Sequence, residues 1–367
     1  MRTDPVSANP EERLSLQRAL DAHAGLALFT ELLAIPSPSG HERWMGRFLM
    51  ERLMSWGYAP EVDPAGNVLV RVPGADSTAP TCCLAAHMDE IAMVVTQVEA
   101  DGTLRIDRTG GLYPWKLGET PVDVLTEQGR IRGVVSLGSG HSRHALEGCP
   151  SWDGARILTG LSAQRLADRG VRVGSPVVPC RDVCGPFLLG SEEQPTVAAW
   201  TFDNRLGVTV VLQMLRRLKE EALAPRCPLL VAFTVEEEVG CHGAKALAQR
   251  ERPEVFVAVD GSPLVPEAPL VLDGRPGIRT KDRSAIYDQE LFNDICDLSA
   301  SAGVELQPVI YDRAASDASA VYAIGAAPRA ACFGYVRDSS HGYEVTPLVT
   351  FDYLLTTICA FVTAWKG

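Results

Sequence analysis

The stretch TFDNRLGVTVVLQMLRRLKEEALAPRCPLLVAFTVEEEVGCHGAKALAQRERPEVFVAVDG (201–261) decides the architecture. Its part NRLGVTVVLQMLRRLKEE (204–221) repeats apolar residues at helical spacing, which predicts an amphipathic helix. CPLLVAFTV (227–235) is a short, continuously apolar run bounded by turn residues, and EVFVAVD (254–260) is another. Between them HGAKALAQ (242–249) reads as a helix. Strands apolar on both sides, alternating with helices, predict a mostly parallel sheet covered on both faces, an α/β fold.

The same alternation runs to the end of the chain. AIYDQELFNDICDLSASAG (285–303), DASAVYAIG (317–325) and TFDYLLTTICAFVTAW (350–365) read as helices. ELQPVIYD (305–312) and APRAACFGYV (327–336) read as strands. Upstream, leucines at 14, 16, 20, 26 and 28 and the segment SPSGHERWMGRFLMERLMSWGY (37–58) predict helices. NVLVRV (67–72), TCCLAAH (81–87) and IAMVVTQV (91–98) predict strands. From about 92 to about 184 short β-branched runs are broken by Gly, Pro and Asp, the pattern of a small barrel or sandwich. The expected organisation is one α/β domain, residues 1–91 and 185–367, split by a β-rich insert, residues 92–184.

Composition narrows the function. Of 367 residues 46% are hydrophobic and 22% charged, as in ordinary folded enzymes. No apolar run approaches the ~18 residues that cross a bilayer, and the polar start MRTDPVSANPEERL has no signal-peptide pattern. A net charge of −12 repels nucleic acid and anionic membrane and favours cations. Ten cysteines without a C-x-x-C pair read as reduced thiols of a cytoplasmic protein.

Five places put histidine or carboxylate just past an apolar run, where open parallel sheets hold their active sites. They are His87 in LAAHMDE, Asp203 in TFDNRLG, Glu237 and Glu238 in FTVEEEVG, Asp260 in VFVAVDG and His341 in RDSSHGYE. Taken singly each has a plain explanation; Asp203 before a helix reads as an N-cap. Together, two histidines and three carboxylates suit two divalent transition metals, Zn²⁺, Co²⁺ or Mn²⁺, with one Asp shared. Asp89, two residues beyond His87 on the same side of the strand, can orient its imidazole. A spare glutamate beside a ligand can shuttle a proton, for which Glu236 has the weaker claim. GSGHSRH (138–144) puts His141 and His144 in the insert, His141 within possible reach of a substrate or a neighbouring subunit. No G-x-S-x-G elbow, P-loop or G-x-G-x-x-G fingerprint competes.

With these motifs the chain resembles the dinuclear aminopeptidases of the glutamyl aminopeptidase and TET peptidase family, from IPSPSGHE (35–42) to SHGYE (340–344). AAHMDEI, FDNRLG, EEVGCHGA, the strand-end VD, SDA (316–318) and ILTGLSAQRLADRGVRVGSPV carry the likeness. The resemblance implies a zinc-peptidase-like α/β domain with a barrel-like dimerisation insert. It implies that Asp203 bridges two metals, that His87 and Asp260 complete one site, and that Glu238 and His341 complete the other. It makes Glu237 the general base and acid and Asp89 the orienter of His87. Homo-oligomers built from dimers, often dodecamers, are implied as well. A related group of desuccinylase and carboxypeptidase-like amidohydrolases uses a similar ligand order, but there the bridging Asp follows the first His by a few tens of residues. Here the whole β-rich segment intervenes.

Ala92, GSGHSRH and SSHGYE depart from the family pattern, and the last two resemble a branch associated with osmoprotectant dipeptide gene clusters. The expected activity is removal of N-terminal residues from peptides by a two-metal-activated water. The alternative is a deacylase or dipeptidase on the same site, acting on a specialised osmoprotectant-type dipeptide. A binding protein that has lost its chemistry would lack a ligand, and none of the five is missing.

Overall fold

The computed structural model of the protein describes residues 10–139, 141, 149–191 and 193–367. Its centre is an eight-stranded sheet in the spatial order Glu61–Val62, Val68–Val72, Leu229–Thr234, Cys82–His87, Val255–Val259, Arg329–Gly334, Gly277–Lys281, Gln307–Ile310. The four strands from Leu229–Thr234 to Arg329–Gly334 run parallel; Val68–Val72 and Gly277–Lys281 join them antiparallel.

Cys82–His87 explains why such strands are apolar throughout. Cys82, Leu84 and Ala86 pack into one core with the helices Ala24–Leu33, Phe202–Glu220 and Thr350–Ala364. Cys83 and Ala85 pack into another with the helices His242–Glu251 and Asp317–Ala323. Side chains alternate across a strand, so a sheet covered twice needs apolar residues at every position.

Directly after this strand the chain leaves the sheet for a closed six-stranded barrel, Ala92–Val98, Leu104–Thr109, Arg156–Leu158, Gly129–Ser136, Pro121–Thr126 and Pro176–Pro179 in order around it. In LRIDRT, Leu104 and Ile106 face the barrel interior while Arg105 and Asp107 face out, the alternation closure requires. Of the barrel or sandwich expected, the barrel is the one formed.

The sequence reading passed over two features. Gly277–Lys281 is a sheet strand, obscured because it carries Arg279 into the interior. Phe187–Ser191, Gln194–Trp200 and Tyr343–Pro347 form a separate three-stranded sheet. The ten cysteines are free thiols. Among the described residues no helix is long and apolar enough to cross a membrane.

Candidate metal centre

The parallel register aligns the strand ends. Thr234 pairs with His87, so the turn carrying Glu237 and Glu238 emerges beside that imidazole. Asp260 follows the neighbouring strand Val255–Val259. Asp203 comes from elsewhere: it opens the helix Phe202–Glu220, where Asp203 and Asn204 depart from helical geometry and are joined by a cis peptide. Asn204 Nδ2 donates to the Val259 carbonyl at 2.8 Å, pinning this opening against the strand that leads to Asp260. His341 precedes the strand Tyr343–Pro347, whose Tyr343 lies opposite Trp200 in the small sheet. That pairing brings Asp203 and His341 together across a long span of sequence.

Four of the five metal-ligand candidates converge closely. His87 Nε2 lies 3.1 Å from Asp203 Oδ1. His341 Nε2 lies 3.6 Å from Asp203 Oδ2 and 3.5 Å from Glu238 Oε2. One ligand atom each from His87, Asp203 and Glu238 fit within 4.8 Å of one another. Asp260 lines the same 340 Å³ cavity as Asp203, Glu237, Glu238 and His341. Its carboxylate, however, is taken up by Arg279 Nη2 at 3.1 Å and by the Gly261 amide at 2.6 Å.

Asp89 is fully buried, 3.4 Å from His87 Nδ1. It also accepts the Glu237 amide at Oδ1, 3.0 Å, and the Glu238 amide at Oδ2, 3.2 Å. His341 Nδ1 meets the Gly111 carbonyl at 3.0 Å, which fixes Nδ1 as the protonated nitrogen and leaves Nε2 facing the carboxylates. Glu236, Cys241, Thr201 and His341 all hold left-handed backbone conformations. Such residues cost on the order of 1–3 kcal/mol each and cluster at functional sites.

The charge balance is lopsided. Burial first, against which the neighbouring His87 pulls, and then the repulsion of Glu238 push Glu237 well above the usual carboxylate range. Burial and the Asp203 charge push Glu238 up to about 7 despite His341. Burial raises Asp317 to about 6. The Glu238 carboxylate pushes His341 up to about 10. Burial opposes a charge on His87, yet Asp203, Asp89 and Glu237 raise it well above the ordinary value. Only Asp203 is held far down: burial is outweighed by the Arg337 guanidinium, with both histidines adding to it. Glu238 Oε1 is buried without a hydrogen-bond partner. Carboxylates crowded against one another, an unpartnered oxygen and two imidazoles facing one point are a donor set that suits a divalent cation.

Several organising residues escaped the sequence reading. Arg337 Nη2 bonds Asp203 Oδ2 at 2.5 Å. Buried Glu344 accepts the Asp203 amide at 2.9 Å and the His341 amide at 3.2 Å, holding both candidates through the backbone. Its position in SHGYE was a signal, as was that of Asp317 in SDA. Asp317 Oδ2 accepts from Thr234 Oγ1 at 2.5 Å, and the residue sits with Glu237 and Cys241 in a second close cluster. Nothing in the sequence marked Arg337, Arg279 or Gly111. His141 is exposed on its loop and does not line the cavity; His144 lies outside the described residues.

A family model described as M42 glutamyl aminopeptidase matches residues 66–354. The glutamyl aminopeptidase of Lactococcus lactis subsp. cremoris is 30% identical over 239 residues, 63% of this chain and 65% of that protein. The lysyl aminopeptidase of Pyrococcus furiosus is 29% identical over 239 residues, 64% of this chain and 65% of its own. The chain thus matches somewhat under two thirds of the length of each of these relatives. A TET aminopeptidase of a marine sediment thaumarchaeon shares the fold, with a TM-score of 0.84 at 22% identity over 94% of this chain and 98% of that one. The Pyrococcus horikoshii TET1 peptidase, described as assembling into a tetrahedron or a large octahedral shell, gives 0.80 at 25% identity over 93% and 99%. With the family match spanning most of its length, the chain belongs to the M42 glutamyl aminopeptidase family.

Proposed function

We propose that the protein is a metal-dependent aminopeptidase that removes N-terminal residues from peptides. The observation that carries this reading is the convergence of His87, Asp203, Glu238 and His341, the last three lining one cavity with the half-buried Glu237. His87, Asp203 and Asp260 would hold one divalent cation and Asp203, Glu238 and His341 the other, with Asp203 shared. Zn²⁺ and Co²⁺ suit this mixed N/O set best, and Mn²⁺ is compatible with it. When bound, such a pair supplies Lewis acidity and an activated water for attack on the scissile carbonyl.

The chain's own groups do the rest. Glu237 takes the proton of the attacking water and delivers it to the leaving amine; a carboxyl raised by burial is poised for both. Asp89 fixes the His87 ring and the turn that carries Glu237. The Gly111 carbonyl aims His341, and Arg337 with Glu344 aims Asp203. Glu237→Gln is expected to retain metal while kcat falls ~10²-fold or more. Normal turnover in that mutant refutes the assignment.

The deacylase or dipeptidase alternative is not favoured, since the family match and the named relatives are aminopeptidases. The assembly proposed is a homo-oligomer built from dimers, with a dodecamer as one candidate form and residues 92–184 as the dimerisation domain; that the TET1 peptidase of Pyrococcus horikoshii assembles into a tetrahedron or a large octahedral shell supports the homo-oligomer alone. Ten free thiols support a cytoplasmic setting, and a net charge of −12 argues against nucleic-acid and anionic-membrane partners.

A further inference from the structure

The motif PSPSGHE (36–42) opens the resemblance, yet no step above uses it. Its loop runs beside the strand end: Ser39 forms a backbone bond to Glu90, and Glu90 returns one to Ser37. Glu42 stands at the N-cap position of the helix Arg43–Ser55, a place usually taken by Ser, Thr, Asp or Asn. It makes no capping bond. Glu42 Oε1 instead accepts the Gly40 amide at 2.8 Å and the Glu236 amide at 3.1 Å. Ser39 Oγ donates to Asp89 Oδ2 at 2.6 Å.

Three consecutive amides at the end of strand Leu229–Thr234 are therefore held by two carboxylates: Glu236 by Glu42, and Glu237 and Glu238 by Asp89. The turn needs holding, because Glu236 has φ 54, a left-handed conformation that a residue with a Cβ rarely adopts unsupported. We infer that Glu42 is a positioning residue, the outer half of a two-carboxylate clamp that aims Glu237 into the cavity from the N-terminal loop. The inference rests on the assignment of Glu237 as the proton-transfer group. Burial, then the nearby Asp89 charge, push Glu42 up to about 7. Both amides donate to the one oxygen Oε1, which a glutamine carbonyl can place in the same position.

The test compares Glu42→Gln, Glu42→Ala and Glu42→Asp with Glu237→Gln in the metal-loaded enzyme. The probe is whichever free aminoacyl 4-nitroanilide the wild type cleaves fastest. Gln keeps an oxygen in place and is expected to hold kcat near wild type. Ala removes the acceptor and Asp withdraws it, so both are expected to lower kcat by roughly 10-fold to 10²-fold, the cost of misplacing a reacting group by about an ångström. KM and bound metal should stay unchanged in both. Should Ala not fold, Asp alone decides. Wild-type kcat in Ala and Asp, while Glu237→Gln loses turnover, overturns the clamp. An equal loss in Gln and Asp also overturns it, because the charge and not the placed oxygen would then matter. Full turnover in Glu237→Gln sinks the underlying proton-transfer assignment instead.

Discussion

His341 illustrates how closely single residues are fitted at this site. A Cβ built on Gly111 would fall 2.5 Å from His341 Nδ1, inside van der Waals contact. Gly111→Ala must therefore displace the imidazole and break its bond to the carbonyl that aims it. We expect a fold with unchanged stability, metal affinity at the His341 position lower by 10–100-fold, the usual cost of a lost orienting partner, and activity restored by excess metal. A variant with wild-type metal affinity contradicts the role given to Gly111. The sequence could not have pointed to this glycine, which lies in the β-rich insert and meets the site only in three dimensions. His87, Glu237, Glu238 and Asp260 were legible because each ends or follows a recognisable strand. Asp203 and His341 were legible as strand-flanking residues; of the groups that hold Asp203, Glu344 was signalled only by its place in SHGYE and Arg337 not at all. The reason is physical: the candidate ligands sit at or beside strand ends, a pattern visible along the chain, whereas their supports come from whatever element packs alongside.

At the scale of elements, the junction between sheet and barrel rests on one buried ionic cluster. Glu90, fully buried, pairs with Arg181 from the far end of the barrel and with Arg205 at 3.2 Å from the helix Phe202–Glu220. Burial alone raises the Glu90 carboxyl, but the guanidinium charges of Arg181 and then Arg205 outweigh it and hold the group below its ordinary value. Glu90→Gln leaves two buried cations unbalanced and is expected to destabilise by about 3–5 kcal/mol, measured as a denaturant midpoint. A carboxyl with a depressed folded-state pKa contributes its stability above the unfolded value, near ~4.3, and loses it as pH falls through the folded value. The gap between wild type and mutant should hold constant from neutral pH to about pH 5 and narrow only below that. A gap that closes at higher pH contradicts this account. Neither Arg was singled out in the sequence, since basic residues in loops and helices are usually solvated. The helices and parallel strands themselves were read correctly from periodicity; Gly277–Lys281 was missed because its buried arginine disguised it.

For the whole molecule, the chain enters the barrel just past His87, and the barrel segment's Gly110 and Gly111 lie against Glu238 and His341, so site and insert are built as one object. If residues 92–184 also mediate dimerisation, assembly and activity are mechanically linked. Sedimentation velocity is expected to find species of dimer mass or a multiple of it, and an enzyme active as a monomer contradicts the proposed assembly. The central claim concerns what the metal centre acts on, and one experiment addresses it directly. Chelator-stripped protein is reloaded with Zn²⁺, Co²⁺ or Mn²⁺ and given matched peptides with free and N-acetylated termini, with Glu237→Gln as the control. The account predicts metal-dependent release of the first residue from the free peptides alone, lost in the mutant. Cleavage confined to the acetylated peptides, or equal rates with and without metal, would contradict it.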